Sequence, residues 1–390
     1  MGLMPTLRMA SALAFAAAAT FVSCKKDGAP ALRSQGIKVG LVTDVGGRGD
    51  QSFNDSALRG LELWSAGKKL IGSEYQPVTP AEVAASIPVH LASHGLVIEP
   101  MPIIPLVLQS KAQEDYEPNL QLLVDRGVML SVATGFLLES AVLAVARRNL
   151  NARFLLIDSP LIDSRGAPVS LPNVRTVVFR EEEGSFLVGA LAGLATQTGK
   201  IGFVGGMEIP LIKKFEAGFR AGVLTTRPPA ARELLVAYTG SFDNVATGKQ
   251  VAQDLLSKGV DVIFQAAGSD GLGAIQAVKE ARDAGRLVYA IGVDADQWHL
   301  APTAVLTSMI KHVDLAVYLT IRDLVDGKFS AGNRTLGLKE DAVWYAEVRL
   351  DFPGKKEVLE RVEGFRKRVV AGEIQVPSNL AELATFRAPP

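Results

Sequence analysis

One cysteine, Cys24, serves the whole 390-residue chain, so an internal disulfide is excluded. An excess of charge is missing too: 41 lysines and arginines face 41 aspartates and glutamates. There is no basic surplus to attract nucleic acid and no acidic surplus of the kind that keeps chains unfolded. Histidine occurs four times, at 90, 94, 299 and 312. His90 and His94 make an i, i+4 pair, but without an HExxH pattern or a nearby cysteine they do not read as metal ligands. A Walker loop, a nucleophile elbow and paired catalytic carboxylates are all lacking. The glycines of Gly268 to Gly273 have the wrong spacing for a dinucleotide fingerprint and no suitable acidic residue. Arg48-Gly49-Asp50 spells an integrin-type tripeptide, which inside a strand-to-helix loop reads as chance.

Long hydrophobic runs are confined to the start. Arg8 precedes an alanine-rich run from Leu13 to Val22, short for a bilayer span and close to a signal h-region in length. Residues 1–23 therefore read as a signal peptide and 24–36 as a polar tether. Phe21-Val22-Ser23-Cys24 resembles a bacterial lipobox, with phenylalanine in place of the usual leucine. That resemblance gives Cys24 a use as a lipidation site; a secreted protein with a free thiol is the other reading.

What is present is an alternation of strands and helices. Ile37, Val39, Leu41 and Val42 form an apolar, β-branched run of the kind buried on both faces of a parallel sheet. Asp44 ends it, and Gly46, Gly47 and Gly49 make a loop able to approach a ligand closely. Asn54, Asp55 or Ser56 can cap the helix that follows, in which Ala57, Leu61 and Trp64 keep the helical period. Parallel α/β units bind ligands beyond the carboxyl ends of their strands.

Further units follow. Strands are expected at 128–133, 154–158, 174–179, 200–206, 234–240, 260–265, 287–293 and 305–310, with helices between them. Asp158 and Asp294 again stand at strand ends. Residues 71–118 hold seven prolines, and there Val89–Ile98 and Ile103–Leu108 stay open between strand and loop. The alternation runs twice, which predicts two lobes: 37–178 plus about 305–330, and 179–304 plus about 331–352. Residues 353–390 form a C-terminal extension.

DVGGRGDQSFN, Asp44 to Asn54, resembles the signature of the basic membrane protein family of substrate-binding lipoproteins, the purine nucleoside receptors of ABC transporters. ATGFLLESAV, FREEEGSFLVGALAG, GKIGFVGGMEIPLIKKFEAGFRAGV, DVIFQAAGSDGLGAIQA, IGVDADQ and VLTSMIKHVDLAV agree with it in order. The resemblance implies a type I periplasmic-binding-protein fold, two Rossmann-like lobes with parallel sheets closing on a ligand at a hinge. It also implies a lipid-anchored protein on the extracytoplasmic side of the cell membrane, a permease partner, no cofactor and no catalysis.

By the same resemblance, Phe53 and Phe215 are the aromatic faces against a base. Asp44 and Asn54 read its edge, and Gly268, Asp294 and Lys311 line the sugar or close the cleft. Phe136 and Phe186 are added as aromatics at strand-to-helix junctions. The residues taken alone leave blander roles open: Phe53 as a hydrophobic staple, Phe215 as core beside Ile212 and Phe219, and both aspartates as helix caps. A ligand-sensing lipoprotein of the same fold and a nucleotide-utilising α/β enzyme are the competing functions.

Overall fold

The computed structural model describes residues 36–163 and 165–388; Cys24, the signal peptide and most of the tether lie outside them. Its strands are β1 Ile37–Val42, β2 Lys68–Ile71, β3 Glu74–Pro77, β4 Ile103–Leu108, β5 Leu130–Ala133, β6 Arg153–Ile157 and β7 Val174–Phe179. The second half contributes β8 Ile201–Gly205, β9 Leu235–Tyr238, β10 Val262–Ala266, β11 Tyr289–Asp294, β12 Val305–Lys311, β13 Gly332–Leu336 and β14 Val343–Tyr345.

Two six-stranded sheets result, in the orders β13-β7-β6-β5-β1-β4 and β14-β12-β11-β10-β8-β9. Within them every pairing is parallel except β12 with β14, while β2 and β3 form a separate antiparallel hairpin. The two orders correspond strand for strand, so β6 and β11 hold equivalent places. Central strands such as β5, β8 and β10 are buried along their whole length, as sheets covered by helices on both faces require.

The chain crosses between lobes three times. It passes from β7 into helix Glu181–Ala195, which packs on the second lobe, and from β12 into helix Val313–Val325, which packs on the first. It returns from β13 to β14. The expected division is corrected accordingly. Within 305–330 only the helix sits on the first lobe, because β12 pairs with β11. Within 331–352, β13 extends the first sheet beside β7.

Glycine sets the closest helix contact. A Cβ on Gly189 would stand 2.2 Å from Phe219 O, and one on Gly222 would stand 2.1 Å from Phe186 O. Helices Glu181–Ala195 and Pro210–Thr226 can therefore touch backbone to backbone only with glycine at these places. Residues 353–388 are part of the second lobe, since helix Lys355–Val370 packs on helix Glu181–Ala195 and helix Leu380–Thr385 on helix Pro210–Thr226.

The proline-rich stretch is ordered by local rules. Thr79 and Glu82 form a capping box at helix Pro80–Ala85, where Pro80 occupies a first-turn position that needs no N–H. Val89–Ser93 is a helix, and Ile103–Leu108 is an edge strand in which Pro105 is tolerated.

Candidate functional site

The carboxyl ends of both sheets face one shared cavity. Asp44 lies just past β1, Gly135 and Phe136 past β5, and Asp158 past β6. From the second lobe come Gly268 past β10, Asp294 at the end of β11 and Lys311 at the end of β12. Helix Phe53–Leu58 supplies Phe53 and Asn54 from its first turn on one side, and helix Pro210–Thr226 supplies Phe215 from its second turn on the other.

Lys311 Nζ lies close to both aromatic walls, 4.8 Å from the centroid of Phe53 and 5.5 Å from that of Phe215. The rings thus lie no farther apart than those two distances combined. A flat ring stacked on both needs a separation of roughly 7 Å, two van der Waals contacts. Phe136 of the first lobe meets Phe242 of the second edge to face at 6.4 Å.

At the first-lobe end, Asp44 Oδ1 accepts from Asn54 Nδ2 at 2.7 Å and from Gly46 N–H at 2.9 Å. Burial pushes the Asp44 carboxyl up to about 6, although the Asn54 bond opposes the rise. At the other end Lys311 Nζ donates to Asp158 Oδ2 at 2.6 Å and stands 3.7 Å from Glu181 and 3.9 Å from Asp294. Burial works against the charge on Lys311, but Asp158, Asp294 and Glu181 outweigh it and hold the ammonium above its ordinary pKa. Burial likewise raises Asp294 to about 6, with Lys311 opposing.

Asp158 and Asp294 are a matched pair. Each follows an equivalent strand, and each has a left-handed backbone, φ 68° and 63°. Such a conformation is costly for a non-glycine residue and collects at functional sites. Asp158 Oδ1 and Asp294 Oδ1 are buried without a hydrogen-bond partner among the described residues. These two acceptors suit hydroxyl donors.

Several polar contacts join the lobes around the cavity. Among them are Lys311 to Asp158, Ser52 Oγ to Asp294 Oδ2 at 2.8 Å and to Val293 O at 3.3 Å, Gln297 Nε2 to Gln51 O at 3.2 Å, and His299 Nε2 with Gln51 Oε1 at 2.9 Å. Among the described residues no group of three or more histidine, cysteine or acidic side chains could hold a metal ion, and no helix is long and apolar enough to cross a membrane.

Asp44, Phe53, Asn54, Phe136, Phe215, Gly268, Asp294 and Lys311 all line the cavity. Phe186 does not. It is fully buried, with Phe365 and Phe386 edge to face at 6.0 and 6.4 Å, because its helix turns that side toward the C-terminal helices. Of the nine cavity residues that escaped selection, three carry polar or aromatic side chains. Asp158 carried a signal, the same strand-end position as Asp44 and Asp294. Asp50 lay within the Arg-Gly-Asp coincidence, and Phe242 sits in a short loop with no period to mark it.

The comparisons agree with this geometry. The model of the Bmp family, described as ABC transporter substrate-binding protein PnrA-like, matches residues 37–380. The ABC transporter nucleoside-binding protein BmpA of Lactococcus lactis subsp. cremoris is 30% identical, over 94% of this chain and 97% of that protein. Basic membrane protein A of Borreliella afzelii is 31% identical, over 94% and 98%. A solved ABC transporter solute-binding protein from Aeropyrum pernix K1 superposes with a TM-score of 0.71 at 27% identity, covering 90% of this chain and 96% of that one. Two lobes wound alike around an interlobe cavity, and a match running almost from β1 to the last helix, have one reading: the chain belongs to the Bmp family of PnrA-like ABC transporter substrate-binding proteins.

Proposed function

We propose that this protein captures a purine nucleoside from outside the cytoplasm and presents it to a membrane permease, held at the membrane surface by a lipid on Cys24. The observation that carries the reading is the placement of Phe53 and Phe215, from opposite lobes, on one cavity with carboxylates at both ends. A base stacks between the rings, its edge toward Asp44 and Asn54. The sugar hydroxyls donate to Asp158 and Asp294 and accept from Lys311. The nucleoside-binding name of the Lactococcus relative supports the same ligand class.

Magnitudes show that stacking is not enough. It contributes about 1–3 kcal/mol per base, whereas micromolar affinity needs about 8 kcal/mol. The remainder comes from hydrogen bonds in a cleft that closes and excludes water. Closure also creates a surface absent from the open form, which a permease can recognise.

Calorimetric titration of the full chain with nucleosides, free bases and sugars tests the proposal. It expects one-to-one binding of a purine nucleoside at micromolar Kd or tighter, with free bases and sugars at least tenfold weaker. No heat with any nucleoside, or a sugar binding tightest, would reject it.

A further inference from the structure

Asp50 borders the cavity but is almost fully buried, 2% exposed, and each of its oxygens is in use. Oδ1 accepts from the N–H groups of Ser52 at 3.0 Å and Asp55 at 3.1 Å. Oδ2 accepts from Asn54 N–H at 2.7 Å and from the Asn54 side-chain amide nitrogen at 3.0 Å. That same nitrogen donates to Asp44 Oδ1 at 2.7 Å.

An ionised carboxylate has no hydrogen to give. Two carboxylates around one end of the Asn54 amide therefore permit a single orientation, with NH2 toward the acids. A flipped amide would put its oxygen against two acceptors. Both amide hydrogens are consumed, and Asn54 Oδ1 meets Asp44 N–H only at a long 3.3 Å. The hydrogen bonds of the Asp44 carboxylate with described residues run through Oδ1. What remains to meet a ligand is Asp44 Oδ2 beside Asn54 Oδ1.

We propose that Asp50 is a positioning residue: by locking the Asn54 amide it makes the Asp44–Asn54 edge acceptor-only, so that the site selects a base edge carrying two adjacent N–H donors. Within the nucleoside reading, on which this rests, guanine offers such an edge at N1–H and the 2-amino group. Adenine presents a donor beside an acceptor. Guanosine is then the preferred purine nucleoside.

Asp50 also caps a helix, and the test must separate the two roles. Asp50→Asn retains an oxygen for the backbone N–H groups but brings an NH2 into the acid pair, which frees the Asn54 amide to turn. At pH 8 the wild-type full chain should bind guanosine at least tenfold more tightly than adenosine, and Asp50→Asn should cut that ratio at least tenfold. A ligand-free readout accompanies it. The Asn54 side-chain NH2 protons, both hydrogen-bonded to buried carboxylates, should exchange slowly with solvent in the wild type and measurably faster in the variant. Asp50→Ser, which keeps a capping oxygen, substitutes if the asparagine variant does not fold, with the same expectations. Equal weakening of both nucleosides, a wild-type preference for adenosine, or unchanged Asn54 side-chain exchange would overturn the positioning role. Failure of the wild type to bind any nucleoside would overturn the nucleoside reading and the selectivity with it, while the amide exchange would still decide whether Asp50 holds Asn54.

Discussion

Lys311 Nζ, at the end of a second-lobe strand, lies 2.6 Å from Asp158 Oδ2, at the end of a first-lobe strand. Both side chains are nearly sealed from solvent, at 3% and 4% exposure. The pair is thus a buried charge contact across the cleft, and Asp294 and Glu181 share the same ammonium.

Removing one partner of a buried ion pair costs more than the pair contributes, about 3–5 kcal/mol, because the other charge is left uncompensated. Lys311→Met strands the Asp158 and Asp294 carboxylates, while Glu181 keeps Lys214 at 3.1 Å. It should lower stability by about that amount and let the ligand-free lobes separate. Denaturant titration and the radius of gyration from X-ray scattering check both effects; a variant matching the wild type in each would show the contact to be incidental.

Phe186 separates core from site. Truncation of a buried phenylalanine costs about 3–5 kcal/mol, so Phe186→Ala should destabilise the chain by that much and loosen the C-terminal helices. Ligand affinity should stay within about twofold, since the side chain does not reach the cavity. A tenfold loss of affinity at constant stability would restore it to the site.

Burial lifts Asp44 from 3.8 to about 6, so the folded chain holds that proton more tightly than the unfolded chain does. The associated stability is complete below the unfolded pKa of 3.8 and is lost as pH rises through about 6. Asp44→Asn, neutral throughout, should therefore gain on the wild type between acid and neutral pH, by up to about 3 kcal/mol at 1.36 kcal/mol per pKa unit. Urea titrations at acid and neutral pH should show the gap widening. A gap independent of pH would mean that the carboxyl titrates at its ordinary value.

Gly135 has φ 110°, and a Cβ there would stand 3.3 Å from both Phe53 Cε1 and Asp44 Oδ2. Gly135→Ala should cost about 1–3 kcal/mol through the backbone alone and weaken ligand binding at least tenfold by displacing the ring. Calorimetry would report the second effect, and an unchanged Kd would show that the ring has room to move.

Much of this was legible in the residues. Apolar runs ending in aspartate placed Asp44 and Asp294 at the carboxyl edges of strands, and the doubled alternation predicted two lobes. Phe53 and Phe215 were different, because periodicity alone suits a staple and a core position; only the match of whole motifs turned them toward a cleft. The lobe boundaries near 305 and 331 were misplaced because a strand carries no mark of which sheet it joins. Phe186 follows a strand-to-helix junction as Phe53 does, but one turn further into its helix, where one face leads to the cavity and the other to the C-terminal helices. Short-range pattern does not encode that choice, since the covering segment lies some 180 residues away.

The most direct measurement is a calorimetric titration of the wild type, Phe53→Ala and Phe215→Ala with guanosine, alongside a melting curve for each. Aromatic jaws from opposite lobes predict that each substitution weakens binding at least tenfold, while Phe53→Ala, only half-buried, melts within a few degrees of the wild type. Unchanged affinity in both variants would contradict the account.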